Sequence, residues 1–205
     1  MRWGKIGAAV AVSMLAVSNV AHAAEILFRT PGADRDLRGA LASSSLLIQA
    51  RNDNSEDPQE LVAAARADYS RLLGALYDAG RFGGVISILV DGREAAAIPP
   101  LAAPAEITRI QIEVNPGPLF RFSDATVLPL PPGTELPEEF AVGRPARTGV
   151  IREAATVAID SWRLEGHAKA RVSDQRIVAR HDGNQLSARL TVEPGPALRF
   201  GEVTV

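Results

Sequence analysis

The sequence predicts an α+β fold built from two tandem units, each with the element order strand, helix, helix, strand, strand (β-α-α-β-β). Three observations predict this class: a gapless internal repeat, strands with strict polar–apolar alternation, and amphipathic helices that precede those strands in both halves. Apolar residues at period 2 and at period 3.6 in one chain indicate a sheet and helices. We therefore expect each unit to bury one face of a sheet under its helices.

The repeat relates residues 115–127 to residues 193–205 at an offset of 78 residues, with 7 of 13 positions identical. Both segments contain the pattern Pro-Gly-Pro-x-x-Arg-Phe and end on Thr-Val. A repeat of fixed period predicts repeated structural units. This period has the size of a small domain and is longer than the coil of a solenoid.

The first unit contains a short predicted helix from Asp34 to about Leu47 and then a longer one. The longer helix is bounded by a capping acid, a proline at its first position, a glutamate at its third and a stopping glycine: Asp57, Pro58, Glu60 and Gly80. Its apolar side chains are three or four residues apart, on one face: Leu61, Ala65, Tyr69, Leu72 and Leu76. Two strands are predicted to follow, over residues 85–90 and 109–115.

The second unit repeats this order with weaker signals. The counterpart of the short helix, near Glu135 to Val142, is interrupted by Pro137. A helix is predicted from Thr148 to Gly166, with an apolar face made of Ile151, Ala155, Ala158 and Trp162. Strands are then predicted over Lys169 to Val178 and Leu186 to Val192.

Residues 1–23 have the features of a secretory signal peptide: a basic start, an apolar run from Ile6 to Val20, and the small-x-small site Ala21-His22-Ala23. The run is shorter than the roughly 20 apolar residues that cross a membrane. We expect cleavage, with a retained anchor as the alternative. Cleavage would leave 182 residues and change the formal net charge from −2 to −4, because Arg2 and Lys5 are removed.

The composition excludes several classes of protein. The chain has no cysteine, which rules out a disulfide scaffold, thiol redox chemistry and a cysteine-based zinc site. The 22 basic and 24 acidic residues leave no surplus of positive charge for nucleic acid, so no nucleic-acid partner is expected.

Catalytic residues are poorly supported. The three histidines are His22, His167 and His181, and none lies in a cluster with the spacing of metal ligands. Asp160 and Glu165 are five residues apart on a helix, so they do not share a face with each other. The run Ser43-Ser44-Ser45 has no neighbouring base and is typical of a helix end. We expect a protein that is not an enzyme and has no catalytic residue, metal or cofactor.

The period, the element order, the leader and the Pro-Gly-Pro-x-x-Arg-Phe junctions together resemble the POTRA domains of outer-membrane assembly proteins of the BamA and TamA family. In that family an aromatic residue often follows the glycine that ends the second helix. Gly80-Arg81-Phe82 has this pattern, and Gly166-His167-Ala168 departs from it. The resemblance implies a three-stranded mixed sheet of order 1-3-2 packed on two helices in each unit.

The resemblance extends over about residues 25–205. It implies a signal peptide at 1–23, POTRA-like domains at 24–117 and 118–196, and the first strand of a third domain at 197–205. An apolar face on that strand, made by Leu198, Phe200, Val203 and Val205, predicts that the native chain continues. The alternative is that this strand closes the sheet of the second unit.

The resemblance implies a periplasmic location, with a tether to the outer membrane through a C-terminal β-barrel not present in these residues. Sheet edges can accept extended segments by backbone hydrogen bonding. We expect clients to be unfolded outer-membrane proteins or autotransporters, and a periplasmic or inner-membrane protein to be a further partner. The alternative is a secreted or periplasmic scaffold module that self-associates or docks in a secretion or division complex. The candidate edge residues are Val85, Ile86, Ser87, Ile88, Leu89, Val90, Lys169, Ala170, Arg171 and Val172.

Overall fold

A computed structural model describes residues 24–198. The predicted signal peptide lies outside these residues, as do positions 199–205 of the strand predicted at 197–205. The described chain forms two mixed sheets, the first packed with three helices and the second with one. The predicted α+β class is confirmed, but the first sheet has four strands where three were expected, because a two-residue strand adds to its edge.

The first unit contains four strands and three helices: β1 (Glu25–Arg29), α1 (Arg35–Ser44), α2 (Leu46–Asn52), α3 (Pro58–Asp78), β2 (Val85–Val90), β3 (Arg93–Glu94) and β4 (Arg109–Asn115). The second unit contains three strands and one helix: β5 (Arg121–Leu128), α4 (Thr148–Leu164), β6 (Arg171–Arg180) and β7 (Gln185–Glu193).

Both sheets have the order that the resemblance implies. The first sheet is β1-β4-β2-β3 and the second is β5-β7-β6, so the last long strand of each unit lies between the first and the second. β4 pairs in parallel with β1 and antiparallel with β2, and β7 does the same with β5 and β6. The alternation in β4 follows from this central place, because Ile110, Ile112 and Val114 are at most 1% exposed.

The capping sequence of the long helix is confirmed. Asp57 is the N-cap of α3, and its Oδ1 accepts from the Gln59 amide at 2.7 Å. The short helix predicted over 34–47 is instead two helices that meet at Ser45. Ser45 has extended backbone, and its hydroxyl accepts from the Ile48 amide at 3.1 Å, so it caps α2.

The second unit departs from the prediction of two helices. Residues 135–142 form turns, and α4 is the one helix in the described part of this unit. Pro137 lacks the amide that a helix interior needs. Phe140 of this segment is nevertheless part of the second core: it is 5% exposed and packs edge-to-face on Phe122 with ring centroids 5.4 Å apart.

The two apolar cores meet at the junction between the units. Phe82 packs against the second core, edge-to-face on Phe120 with ring centroids 5.6 Å apart. The Gly80 carbonyl accepts from the Phe120 amide at 2.9 Å. A side chain at Gly80 would lie 2.9 Å from the Ala146 carbonyl oxygen, and its φ of +75° also favours glycine. The glycine and the aromatic that follow α3 therefore join the units, and a domain boundary at 117/118 stays a prediction.

Candidate functional site

Strands β1, β5 and β6 lie at the edges of the two sheets, and β2 has only the two-residue strand β3 beyond it. These four strands differ in length. β1 has 5 residues, β2 has 6, β5 has 8 and β6 has 10. An extended segment can add to any edge whose amide and carbonyl groups are unpaired. The candidate site is therefore decided by how the outer side of each strand is satisfied.

The outer side of β2 is covered along half of its length. Leu89 and Val90 pair with the two residues of β3. The Ile88 amide donates to Glu94 Oε1 at 3.2 Å, and the Ile88 carbonyl lies 3.3 Å from the Tyr69 hydroxyl. Tyr69 also donates to Glu94. We call Tyr69 and Glu94 the edge plug, because side chains here take the place of a further strand.

The charge state of the edge plug fits this role. Burial, together with the hydrogen bond to Glu94 and its charge, raises the pKa of Tyr69 to about 12, so the phenol stays a donor at neutral pH. Burial alone would raise the pKa of Glu94, but hydrogen bonds from Tyr69, the Ile88 amide and Ser87 outweigh it and hold that pKa below 4.5. Glu94 is therefore a carboxylate at neutral pH and can accept all three donors.

The start of β5 is covered by backbone. The Phe122 amide donates to the Arg144 carbonyl at 2.9 Å, and the Phe122 carbonyl accepts from the Gly143 amide at 2.8 Å. Arg121 also forms a bridge with Pro145. The segment 143–146 thus occupies the first third of this edge.

β6 is the longest edge and the most open. It pairs with β7 on one side, and no strand or side chain of residues 24–198 bonds its other side. Ile177 and Val178, which point to opposite faces, are 40% and 42% exposed. A β-bulge at Ser173 interrupts the register with β7 near one end. From Asp174 to Arg180 the register is continuous, which leaves seven residues able to receive a partner strand.

The predicted site residues fall into two separate places. Val85–Val90 forms β2 as predicted, on the first sheet. Lys169 and Ala170 precede β6, in a turn and an irregular position, while Arg171 and Val172 begin it. The strand predicted over Lys169 to Val178 is thus shifted by two residues to Arg171–Arg180. The structure does not bring the two edges together, since they belong to different sheets.

Sequence reasoning missed the edge plug and the open face of β6. Tyr69 and Glu94 are 25 residues apart, and Tyr69 was placed on the apolar face of α3, where its hydroxyl gave no signal. Arg176 and Val178 lie two residues apart in the predicted strand and so share one face, whereas Arg180 lies beyond the predicted end of that strand. No charge pattern could show that this face stays uncovered.

The residues weighed for catalysis make ordinary structural contacts. Asp160 pairs with Arg163 at 3.1 Å, and His167 Nδ1 lies 2.7 Å from the Gly195 carbonyl oxygen. Ser45 donates to buried Asp68 at 2.5 Å. Within residues 24–198 no group of three or more His, Asp or Glu side chains could hold a metal ion. The helices of that range include none that is both long and apolar enough to span a membrane.

Several solved structures are similar to this chain. POTRA3-5 of BamA from Haemophilus influenzae superposes with a TM-score of 0.48 and 14% identity over 89% of this chain and 71% of that one. POTRA1-3 of the Omp85 periplasmic domain from Anabaena gives 0.43 and 16%, over 84% and 60%. The N-terminal domain of Omp85 from Thermosynechococcus elongatus gives 0.42 and 17%, over 84% and 63%.

The chain therefore spans less than two thirds of two of these three structures. They come from BamA and Omp85 proteins, and the first two consist of POTRA domains, which the sequence resembles. No protein-family model matches the sequence. No curated protein matches it either.

Proposed function

We propose that this chain is a periplasmic protein-binding module of an Omp85-type assembly protein, and that it receives an extended segment of a client or partner along β6. The single observation that carries the proposal is the open outer side of β6, where seven residues in continuous register can receive a strand and apolar side chains are exposed on both faces. Backbone pairing at such an edge tolerates many sequences, as a receptor for unfolded chains requires.

Other parts of the proposal rest on the sequence. The signal-peptide pattern at 1–23 supports export, and the repeat with its Pro-Gly-Pro junctions supports the assembly family. Outer-membrane or autotransporter clients, a periplasmic or inner-membrane partner and a tether through a membrane barrel follow from that resemblance. Val85–Val90 is a second, weaker candidate, because only the outer side of Val85 to Ser87 is free of the plug and of β3.

Photo-crosslinking to a model strand tests the proposal. A photoreactive amino acid replaces Gln175 in the full chain, and the probe is a seven-residue peptide of alternating apolar and polar residues. Two N-methylated versions of the peptide are compared, one methylated at the odd-numbered amides and one at the even-numbered amides. We expect crosslinking to be lost for one version and kept for the other. Only one set of amides in an added strand faces β6, so strand pairing alone gives this alternation.

The matched control places the same photoreactive residue at Val142, which is 68% exposed and lies in a loop of the same unit. Equal crosslinking at Gln175 and Val142, or equal loss for both methylation parities, would contradict strand addition. Formation of dimers crosslinked at Gln175 without added peptide would instead favour the alternative, a scaffold that self-associates through β6.

A further inference from the structure

The face of the second sheet that points away from α4 carries three arginines close together. The register of β6 on β7 places Arg176 opposite Arg189, Val178 opposite Ser187, and Arg180 opposite Gln185. Like charges directly opposite each other on a sheet are destabilising unless an anion lies near them. We call Arg176, Arg180 and Arg189 the arginine face.

One of these arginines is already neutralised from within the sheet. Arg189 forms an ion pair with Asp124 of β5. Hydrogen bonds donated by the Thr126 hydroxyl and by Arg189 hold the pKa of Asp124 below its usual value, so Asp124 is charged at neutral pH. Asp124 lies on the β5 side of Arg189, whereas Arg176 lies on the β6 side.

Arg176 and Arg180 lack such a partner. Among the ion pairs of residues 24–198 none involves either of them, and Arg180 donates only to the neutral Gln185 Oε1, at 3.2 Å. Both line an open recess of about 390 Å³ together with Arg189 and its partner Asp124, and with Val178, Ser187 and Ser123, so three arginines share this recess with one carboxylate. The buried Ser123 hydroxyl has no hydrogen-bond partner in the structure. Positive charge is therefore left over at the edge where a further strand would pair.

We propose that β6 selects extended segments that carry acidic side chains four residues apart, opposite Arg176 and Arg180. This inference rests on the proposed function, since it assumes that a strand adds to β6. Side chains of an added strand lie about 5 Å from those directly opposite, close enough to form charge pairs. Because the side-chain period is two, the residues opposite Arg180, Val178 and Arg176 all share the arginine face.

The neighbouring residues complete the pattern. Val178, between the two arginines, favours an apolar or β-branched side chain opposite it. Asp174, two residues before Arg176 on the same face, favours a basic one. An antiparallel segment that fits would read acidic, apolar, acidic and basic at alternate positions from its amino end.

Binding of two charge-reversed peptides to the full chain tests this inference. One seven-residue peptide has glutamate at its first and fifth positions and lysine at its seventh, and the other has these charges reversed. In a low-salt buffer we expect the glutamate peptide to bind about 10-fold tighter by fluorescence anisotropy, because it forms three opposite-charge pairs where the reversed peptide places three like-charge pairs. Arg176→Glu should remove most of this preference, and Arg176→Glu with Arg180→Glu should invert it.

Arg163→Glu is the matched control, because it makes the same change of charge at an exposed position of α4 that is not part of the arginine face. Equal affinities of both peptides, with methylation still alternating in effect, would overturn the charge selectivity and leave the proposed function intact. If neither peptide binds, both the charge selectivity and the proposed strand addition are overturned. Arginine-dependent binding to phosphatidylglycerol vesicles without peptide binding would assign the arginine face to a lipid surface and also overturn the inference.

Discussion

Helix α3 of the first unit and helix α4 of the second each pack on a sheet whose last long strand lies in the middle, but their polar side chains make different contacts. Three neighbouring residues of α3 satisfy backbone groups of other elements: Arg66, Asp68 and Tyr69. Arg66 donates to the carbonyls of Ala96 and Ile98 at 3.0 and 2.6 Å. Asp68 accepts from the amides that begin α2, and Tyr69 belongs to the edge plug.

Helix α4 makes fewer contacts of this kind. Trp162 Nε1 donates to the Pro129 carbonyl at 2.9 Å, while Thr148 and Arg152 bond Asp78 of α3 across the junction. No side chain of α4 reaches the outer side of β6 within the described chain. The same strand order thus gives a half-covered edge in one unit and an open edge in the other. Side chains near the edge, and not sheet topology, decide which strand can receive a partner.

The largest effect is expected from Asp68→Ala, which removes the polar anchor of the first unit. Asp68 is fully buried and accepts from the Leu46 amide at 2.7 Å, the Leu47 amide at 3.2 Å and the Ser45 hydroxyl. Alanine leaves these buried donors without an acceptor, at a cost of about 3–5 kcal/mol in the free energy of unfolding. Denaturant unfolding of the full chain measures this loss.

Asp160→Ala is the matched control, since Asp160 is an exposed aspartate of α4 paired with Arg163. We expect it to change the free energy of unfolding by less than about 1 kcal/mol. Similar losses for both variants would show that α3 has no special role in satisfying its neighbours.

The next prediction tests whether the edge plug is the reason that β2 receives a strand less readily than β6. Glu94→Ala leaves the Ile88 amide and the Tyr69 hydroxyl without their acceptor, which should lower the free energy of unfolding by about 1–3 kcal/mol. Hydrogen exchange of the Ile88 amide should become faster. A model strand that carries a photoreactive residue should then crosslink to β2, which it labels only weakly in the unaltered protein.

Tyr69→Phe keeps the ring and Glu94 but removes the phenolic donor, so its effect should be smaller and should not add to that of Glu94→Ala. Unchanged crosslinking of the photoreactive strand to β2 in both variants would mean that β2 is closed for another reason, such as its pairing with β3.

The sequence predicted correctly those structural features that depend on residues within a single helix or strand. The cap of α3 at Asp57, the alternation of β4 and the glycine after α3 are local signals, and each has the predicted place. The sheet order came from the family resemblance and was also correct.

Contacts between distant elements could not be predicted in the same way. Ser45 was expected to end a helix, and it does, but its role in capping α2 beside Asp68 depends on packing 23 residues away along the chain. The helix expected near 135–142 failed because Pro137 and the burial of Phe140 favour turns there. The edge of β6 is likewise open because no other element of residues 24–198 packs on it, and the sequence of β6 alone could not show this.

The smallest effect concerns pH and separates charge from shape in the edge plug. The pKa of Glu94 is lowered in the folded chain, so its contribution to stability is present above pH 4.5 and is lost as the pH falls through the lower folded value. Glu94→Gln keeps an acceptor for the Ile88 amide but does not titrate. We expect the free energy of unfolding of the unaltered protein to exceed that of this variant by about 1 kcal/mol or less at pH 7. This difference should vanish in acid. Thermal melting of both proteins across this range measures it, and a difference that is independent of pH would mean that shape alone holds the plug.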